Sequence, residues 1–150
     1  GWGIMLLAPT ATAEDVTRWR AINPYLVGGT GFADRATVIG LLATCDATAF
    51  TYVCHNTGQS GAILQGIATR KPVIALRTCR QMRALALDPL GAETIRWCET
   101  FEDVGRTLRQ LELGRLDAGI VALAEQEHWR HWGQKYAALF RQVVAGVGRC

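Results

Sequence analysis

A chain of 150 residues, 49% hydrophobic and 19% charged, is the length of one domain that buries about two thirds of its unfolded surface, and nothing in its balance of residues argues for disorder. No apolar run reaches the ~18 residues of a transmembrane helix, and the start GWGIMLLAPTATAED lacks a basic n-region, so neither a membrane span nor a signal peptide is expected. The expected location is the cytoplasm, with peripheral membrane attachment left open for a full-length protein. All basic residues except Lys71 and Lys135 are arginine within a net charge of +3. That suits bidentate phosphate contacts and equally suits a GC-rich bacterial genome. No basic cluster with interleaved aromatics marks a nucleic-acid footprint, so no nucleic-acid partner is expected. Cys45, Cys54, Cys79, Cys98 and Cys150 are odd in number and lack CxxC or His spacing, which predicts reduced core cysteines rather than disulfides or a zinc site.

In chain order, Gly3 to Ala8 is a short apolar run closed by Pro9, a buried strand. Thr12 caps the next helix with Asp15 as the capping-box acid, and Val16, Trp19 and Ile22 face inward; Pro24 marks its exit. Tyr25 to Gly28 is a second strand, followed by G-G-T-G-F as a flexible loop at the carboxyl edge of a parallel sheet. Asp34 caps a helix carrying Val38, Ile39, Leu41 and Leu42 and ending near Cys45. Asp46, tempting as a carboxylate catalyst, sits where a helix-to-strand turn commonly places a solvated or capping Asp. Thr48 to Val53 is a third strand of β-branched and aromatic residues.

That strand delivers His55 to the loop H-N-T-G-Q-S-G, in which Asn56 and Ser60 are candidate caps for a helix starting near Gly61. The helix A-I-L-Q-G-I-A-T-R places Ile63, Leu64 and Ile67 at helical spacing and is stopped by Pro72. Val73 to Leu76 is a continuous apolar run, the pattern of a strand buried on both faces. A Gly/Ser loop opening a helix presents unpaired N–H groups at the positive end of the dipole, a ready site for phosphate.

Arg77, Arg80 and Arg83 follow near the same sheet edge, where they either neutralise a pyrophosphate or form a solvated face. Met82, Leu85 and Leu87 continue apolar until D-P-L-G breaks the pattern. Thr94 to Cys98 is a fifth strand, and Phe101 to Leu113 an amphipathic helix with Thr100 as cap, Asp103 three residues on and Gly114 as its end. Asp117 to about Val144 reads as helical with a kink at Gly133. His128 and His131 share a helix face at metal-capable spacing without partners to complete a site.

The stretch from Asp46 to Ala75, with the glycine turn T-G-Q-S-G-A-I-L-Q-G and the ending R-K-P-V-I-A, resembles the donor-binding region of GT-B glycosyltransferases. The helix W-G-Q-K-Y-A-A-L-F-R-Q-V-V is similar to the closing helix of those enzymes. Two glutamates usual in the retaining members are absent, Thr57 and Gln65 standing in their places.

Together, strict strand–helix alternation and the resemblance predict an α/β fold: a Rossmann-like parallel sheet with helices on both faces, one half of a GT-B fold. The chain reads as a single donor-binding domain over residues 1–150, a fragment of a longer two-domain enzyme whose N-terminal acceptor-binding domain is missing. The resemblance implies sugar transfer from a nucleoside diphosphate donor, with the leaving pyrophosphate stabilised by helix N–H groups and nearby cations and without a metal. The donor-site candidates are Gln59, Ser60 and Gly61 for phosphate, Gln65 for ribose, His55 and Thr57 for the sugar, and Gly28 and Gly29 beside the base. Catalytic residues are not assignable, and the fragment alone is expected to bind without turnover. A degenerate GT-B-like interaction domain and a sugar-nucleotide epimerase module remain open.

Overall fold

The computed structural model describes residues 3–8, 11–30, 33–52, 61–78, 82–112 and 117–147. The chain divides into two units, Gly1–Cys45 and Asp46–Cys150, each described by itself.

In the first unit, β1 (Ile4–Ala8) and β2 (Leu26–Thr30) pair in parallel, with Ile4 opposite Leu26 and Ala8 opposite Thr30. Helix α1 (Ala13–Ile22) connects them, and α2 (Arg35–Thr44) follows β2. Both helices start where their caps predict. Thr12 Oγ1 accepts from the Asp15 backbone N–H at 3.1 Å while Asp15 Oδ2 accepts from Thr12 N–H at 3.0 Å, which satisfies two donors that the first turn would otherwise leave unpaired. Asp34 does the same for Thr37, taking its N–H at 3.0 Å and its hydroxyl at 2.6 Å. These hydrogen bonds hold the carboxyls of Asp15 and Asp34 below the ordinary aspartate value, Thr12 being the chief cause at the first and Thr37 at the second.

In the second unit, β3 (Thr48–Phe50), β4 (Val73–Leu76) and β5 (Arg96–Cys98) form a parallel ladder with β4 in the centre. Along the chain come α3 (Gly61–Ala68) after β3, α4 (Arg83–Leu87) and α5 (Pro89–Thr94) between β4 and β5, then α6 (Phe101–Gln110), α7 (Ala118–Gln126) and α8 (Trp129–Val147). All four β4 residues are buried because each face of the strand is covered. Val73 and Ala75 join Phe50, Ile63, Ile67 and Leu123 in one core under α3 and α7, and Ile74 and Leu76 join Cys98 and Val104 under α6. At roughly 1.5–3 kcal/mol per fully buried large apolar side chain, these two cores hold the layers together. The fold is therefore mixed α/β with parallel strands flanked by helices, as alternation predicts.

Several local expectations need correcting. The five strands pair as two parallel ladders, one within each unit, because an apolar run marks a strand without naming its neighbour. Gly28 and Gly29 are not loop: β2 runs on to Thr30, their backbones paired opposite Leu6 and Leu7. Ile22 is 79% exposed, being the last residue of α1. The third strand stops at Phe50, while Val53 lies outside the described residues. Helix α3 ends at Ala68, four residues before Pro72; Arg70, at φ 58°, makes the left-handed exit, its N–H bonding Ile67 O at 2.9 Å.

D-P-L-G starts a helix instead of breaking one. Asp88 accepts from Gly91 N–H at 2.9 Å and Pro89 fills the first helical position, where its missing N–H costs nothing. Leu87 is thereby turned outward and exposed, and Thr94 closes α5 instead of opening β5. Helix α6 ends at Gln110; Leu113 and Gly114 lie outside the described residues. The C-terminal helical region is broken at Glu127–His128, and α8 is one continuous helix through Gly133. His128 Nδ1 accepts from Arg130 N–H at 3.1 Å, which caps the first turn of α8.

Candidate functional site

The sequence expects the donor site at the carboxyl edge of the parallel strands, which in the second unit is the edge after β3, β4 and β5. His55, Thr57, Gln59 and Ser60, with Asn56, lie outside the described residues, as do Arg80, Cys54, Cys79 and Cys150. What the structure places is the helix behind them. α3 leaves the carboxyl side of β3 and returns to the amino end of β4, where Thr48 N–H bonds Pro72 O at 3.0 Å. Its first residue, Gly61, is exposed, and a Cβ built there would meet no atom within 4 Å.

The orientation of α3 follows from its sequence. Ile63, Gly66 and Ile67 are buried and define the core-facing stripe. Gly61 and Gln65, four residues apart, share the opposite face one turn from each other. Gly66 fixes how closely the helix lies on the ladder, since a Cβ there would stand 2.6 Å from Phe50 Cζ and 3.1 Å from Thr48 Oγ1. Two of the expected donor contacts are thus brought together on one outward face. Gly28 and Gly29 sit in the ladder of the other unit, where their N–H and C=O groups serve strand pairing.

At the same carboxyl edge, Arg77 follows β4 directly. Its backbone N–H bonds Cys98 O at 2.9 Å, its Nε bonds Glu99 Oε1 at 2.9 Å, and its guanidinium lies 5.5 Å from the Trp97 ring centroid. Both partners of the Arg77–Glu99 pair are at least half exposed, a setting in which an ion pair contributes about 0–1 kcal/mol. Arg77 can therefore exchange a carboxylate for a phosphate at small cost. Arg83 is exposed at the start of α4. Asp46 is exposed in the turn before β3. His128 is engaged in the α8 cap, and no group of three His, Cys, Asp or Glu arranged to hold a metal occurs among the described residues. Of the cysteines, Cys45 and Cys98 are reduced; the Cys45 thiol lies 3.3 Å from Leu41 O.

A feature that sequence reasoning missed is a cavity of about 640 Å³ at the opposite, amino edge, lined by Pro72, Arg96, Thr107, Gln110, Leu111 and Asp117 among others. The one cation among its described lining residues, Arg96, lies 3.5 Å from Asp117, and no motif spans it. Parallel sheets bind ligands at the other edge, so the cavity is the weaker candidate. No family model, no curated protein and no solved structure is similar enough to the chain to count as a match.

Proposed function

We propose that this chain is the nucleotide-sugar-binding half of a GT-B glycosyltransferase, with the donor pyrophosphate seated on the N-terminus of α3. The observation that carries the reading is the placement of α3: it opens with an exposed glycine at the carboxyl edge of a parallel ladder and aligns Gln65 one turn behind that glycine. The backbone N–H groups of the first turn supply charge-assisted bonds worth about 1.5–3 kcal/mol each, the helix dipole adds to them, and Arg77 lies along the same edge. Gln65 bonds the ribose hydroxyls. His55 and Thr57 are the candidates for the sugar, and Gln59 and Ser60 for further phosphate contacts.

Stabilisation of the leaving diphosphate comes from these donors, and the acceptor and any general base belong to an N-terminal acceptor-binding domain. UDP or GDP should bind with Kd on the order of 0.1–1 mM, about 4–5.5 kcal/mol. The test is a nucleotide titration followed by NMR. Shifts centred on residues 55–65 support the reading. Replacing Gly61 with Val should remove them, since a branched side chain obstructs the approach of phosphate to backbone, while Gln65→Ala should weaken binding by about 1 kcal/mol. No shifts at millimolar nucleotide would favour a degenerate interaction domain, the reading that Thr57 and Gln65, standing where glutamates usually do, also support.

A further inference from the structure

Helix α8 has a surface that neither the sheet nor the proposed donor site uses. It is 19 residues long, WRHWGQKYAALFRQVVAGV, and contains no aspartate or glutamate. Its first turn is capped by His128, and one turn on Lys135 lies 4.7 Å from the Trp132 ring centroid and near enough to Asp88 to favour its ionised form. From Gly133 to Gln142 every residue is exposed, including Tyr136 at 56%, Leu139 at 52% and Phe140 at 67%.

Residues of an α-helix advance about 100° each. On that wheel Trp132, Tyr136, Leu139 and Phe140 fall within an arc of about 100°. Lys135 borders the arc on one side together with Gln142, and Arg130, Arg141 and Gln134 lie on the opposite, polar face. Glu125 and Glu127 precede the helix, and Glu125 is already paired with Arg70. An exposed aromatic and aliphatic stripe with Lys135 at its border, two arginines on the polar face and no anion on the helix matches a helix lying in the plane of an anionic bilayer: rings and leucine at the acyl boundary beneath a cationic polar face. The helix is not one that crosses a membrane.

We propose that α8 is a membrane-surface anchor that docks this chain on anionic lipid headgroups. Its cations set the preference for anionic lipid, and Tyr136, Leu139 and Phe140 supply the inserted surface. The inference goes beyond the proposed nucleotide binding and does not depend on it.

Flotation of the 150-residue chain with vesicles tests it, comparing phosphatidylcholine mixed with phosphatidylserine against phosphatidylcholine alone. The chain should float with the mixed vesicles only, and added salt should release it. Each lysine or arginine near an anionic surface contributes about fivefold in affinity, so Arg130→Gln with Arg141→Gln should weaken binding about 25-fold. Leu139→Ser with Phe140→Ser should abolish flotation, with an unchanged melting curve because both side chains are exposed. If that pair melts early, the two arginine substitutions, which remove no buried contact, carry the test alone. The proposal is overturned by no flotation with mixed vesicles, by equal flotation with phosphatidylcholine alone, or by binding that survives the substitutions. It is also overturned if Leu139→Ser with Phe140→Ser abolishes self-association of a chain that ignores vesicles, which would give the stripe to a second copy.

Discussion

Replacing Gly66 with alanine sets two effects of opposite sign against each other, and the geometry decides between them. Alanine is the better helix former by about 0.8–1 kcal/mol, so on an exposed helix the change would stabilise. At position 66 the new methyl would stand 2.6 and 2.8 Å from two carbons of the Phe50 ring and 3.1 Å from Thr48 Oγ1. The ring is buried and packed against Tyr52, with centroids 6.1 Å apart, so it yields only by shifting its neighbours. Overpacking of this kind costs about 1–3 kcal/mol. The net expectation is destabilisation by about 1 kcal/mol, read as a fall in the urea midpoint at constant m-value by circular dichroism. The cause is isolated by repeating the substitution in a Phe50→Leu background. With the ring edge removed, the methyl finds room and the same substitution should become neutral or stabilising, a coupling of about 1–2 kcal/mol. Additive effects of the two substitutions, or a stabilising Gly66→Ala in the wild-type chain, would refute the claim that this glycine sets the distance between α3 and the ladder.

Other expectations follow from single contacts. Thr48 Oγ1 is buried without a hydrogen-bond partner, so Thr48→Val should raise stability by about 1 kcal/mol in the same denaturation assay. Thr100→Ala removes the cap of α6, whose Oγ1 accepts from Asp103 N–H at 3.1 Å, and should cost about 1 kcal/mol. Asp88 is held below the ordinary aspartate value first by the Gly91 N–H and further by Gln126 and Lys135. A depressed native pKa stabilises above the unfolded value of about 3.9 and is lost as pH falls through the native one. Acid unfolding should therefore begin at higher pH in Gln126→Leu, which breaks the 3.0 Å bond to Asp88. Gly61→Val should abolish nucleotide shifts without lowering the melting temperature, because its side chain enters open space.

The parts of this fold legible in the sequence are those whose cause is local. Both Thr-x-x-Asp capping boxes form, at Thr12 and Thr100, because donor and acceptor lie three residues apart and no distant contact is needed. The fully buried β4 is legible for a related reason, since a four-residue apolar run opened by Pro72 and closed by Arg77 has the length and bounds of a strand covered on both faces. The errors arise where one signal has two meanings. D-P reads as a breaker or as an N-cap followed by a first-turn proline, and the bond between Asp88 and Gln126 of α7 adds a distant anchor to the local cap that the sequence does not reveal. Gly133 reads as a kink, yet an exposed helix tolerates a glycine at about 1 kcal/mol, and the break falls instead where His128 offers a cap. Of the candidate site, Gly61 and Gln65 could be aligned from their spacing alone. The amino-edge cavity could not, because Pro72, Arg96 and Asp117 are far apart in sequence and meet only once β4, β5 and α7 are assembled.

The distribution of charge bears on which edge can bind an anion. At the amino edge Arg96 faces Asp117, and at the exit of α3 Arg70 faces Glu125; an anion entering either place must displace a carboxylate of this chain. The same is true of Arg77 and Glu99 at the carboxyl edge. The difference between the edges is therefore not cation supply. It is that α3 directs its first turn to the carboxyl edge and begins with a residue that has no Cβ, so that no side chain at that position stands between an anion and the backbone donors. Gly66 makes this geometry possible from within, because α3 comes close to β3 only where its side is bare. The two glycines thus act on opposite sides of one helix, Gly66 drawing its inner face onto Phe50 and Gly61 leaving its end open.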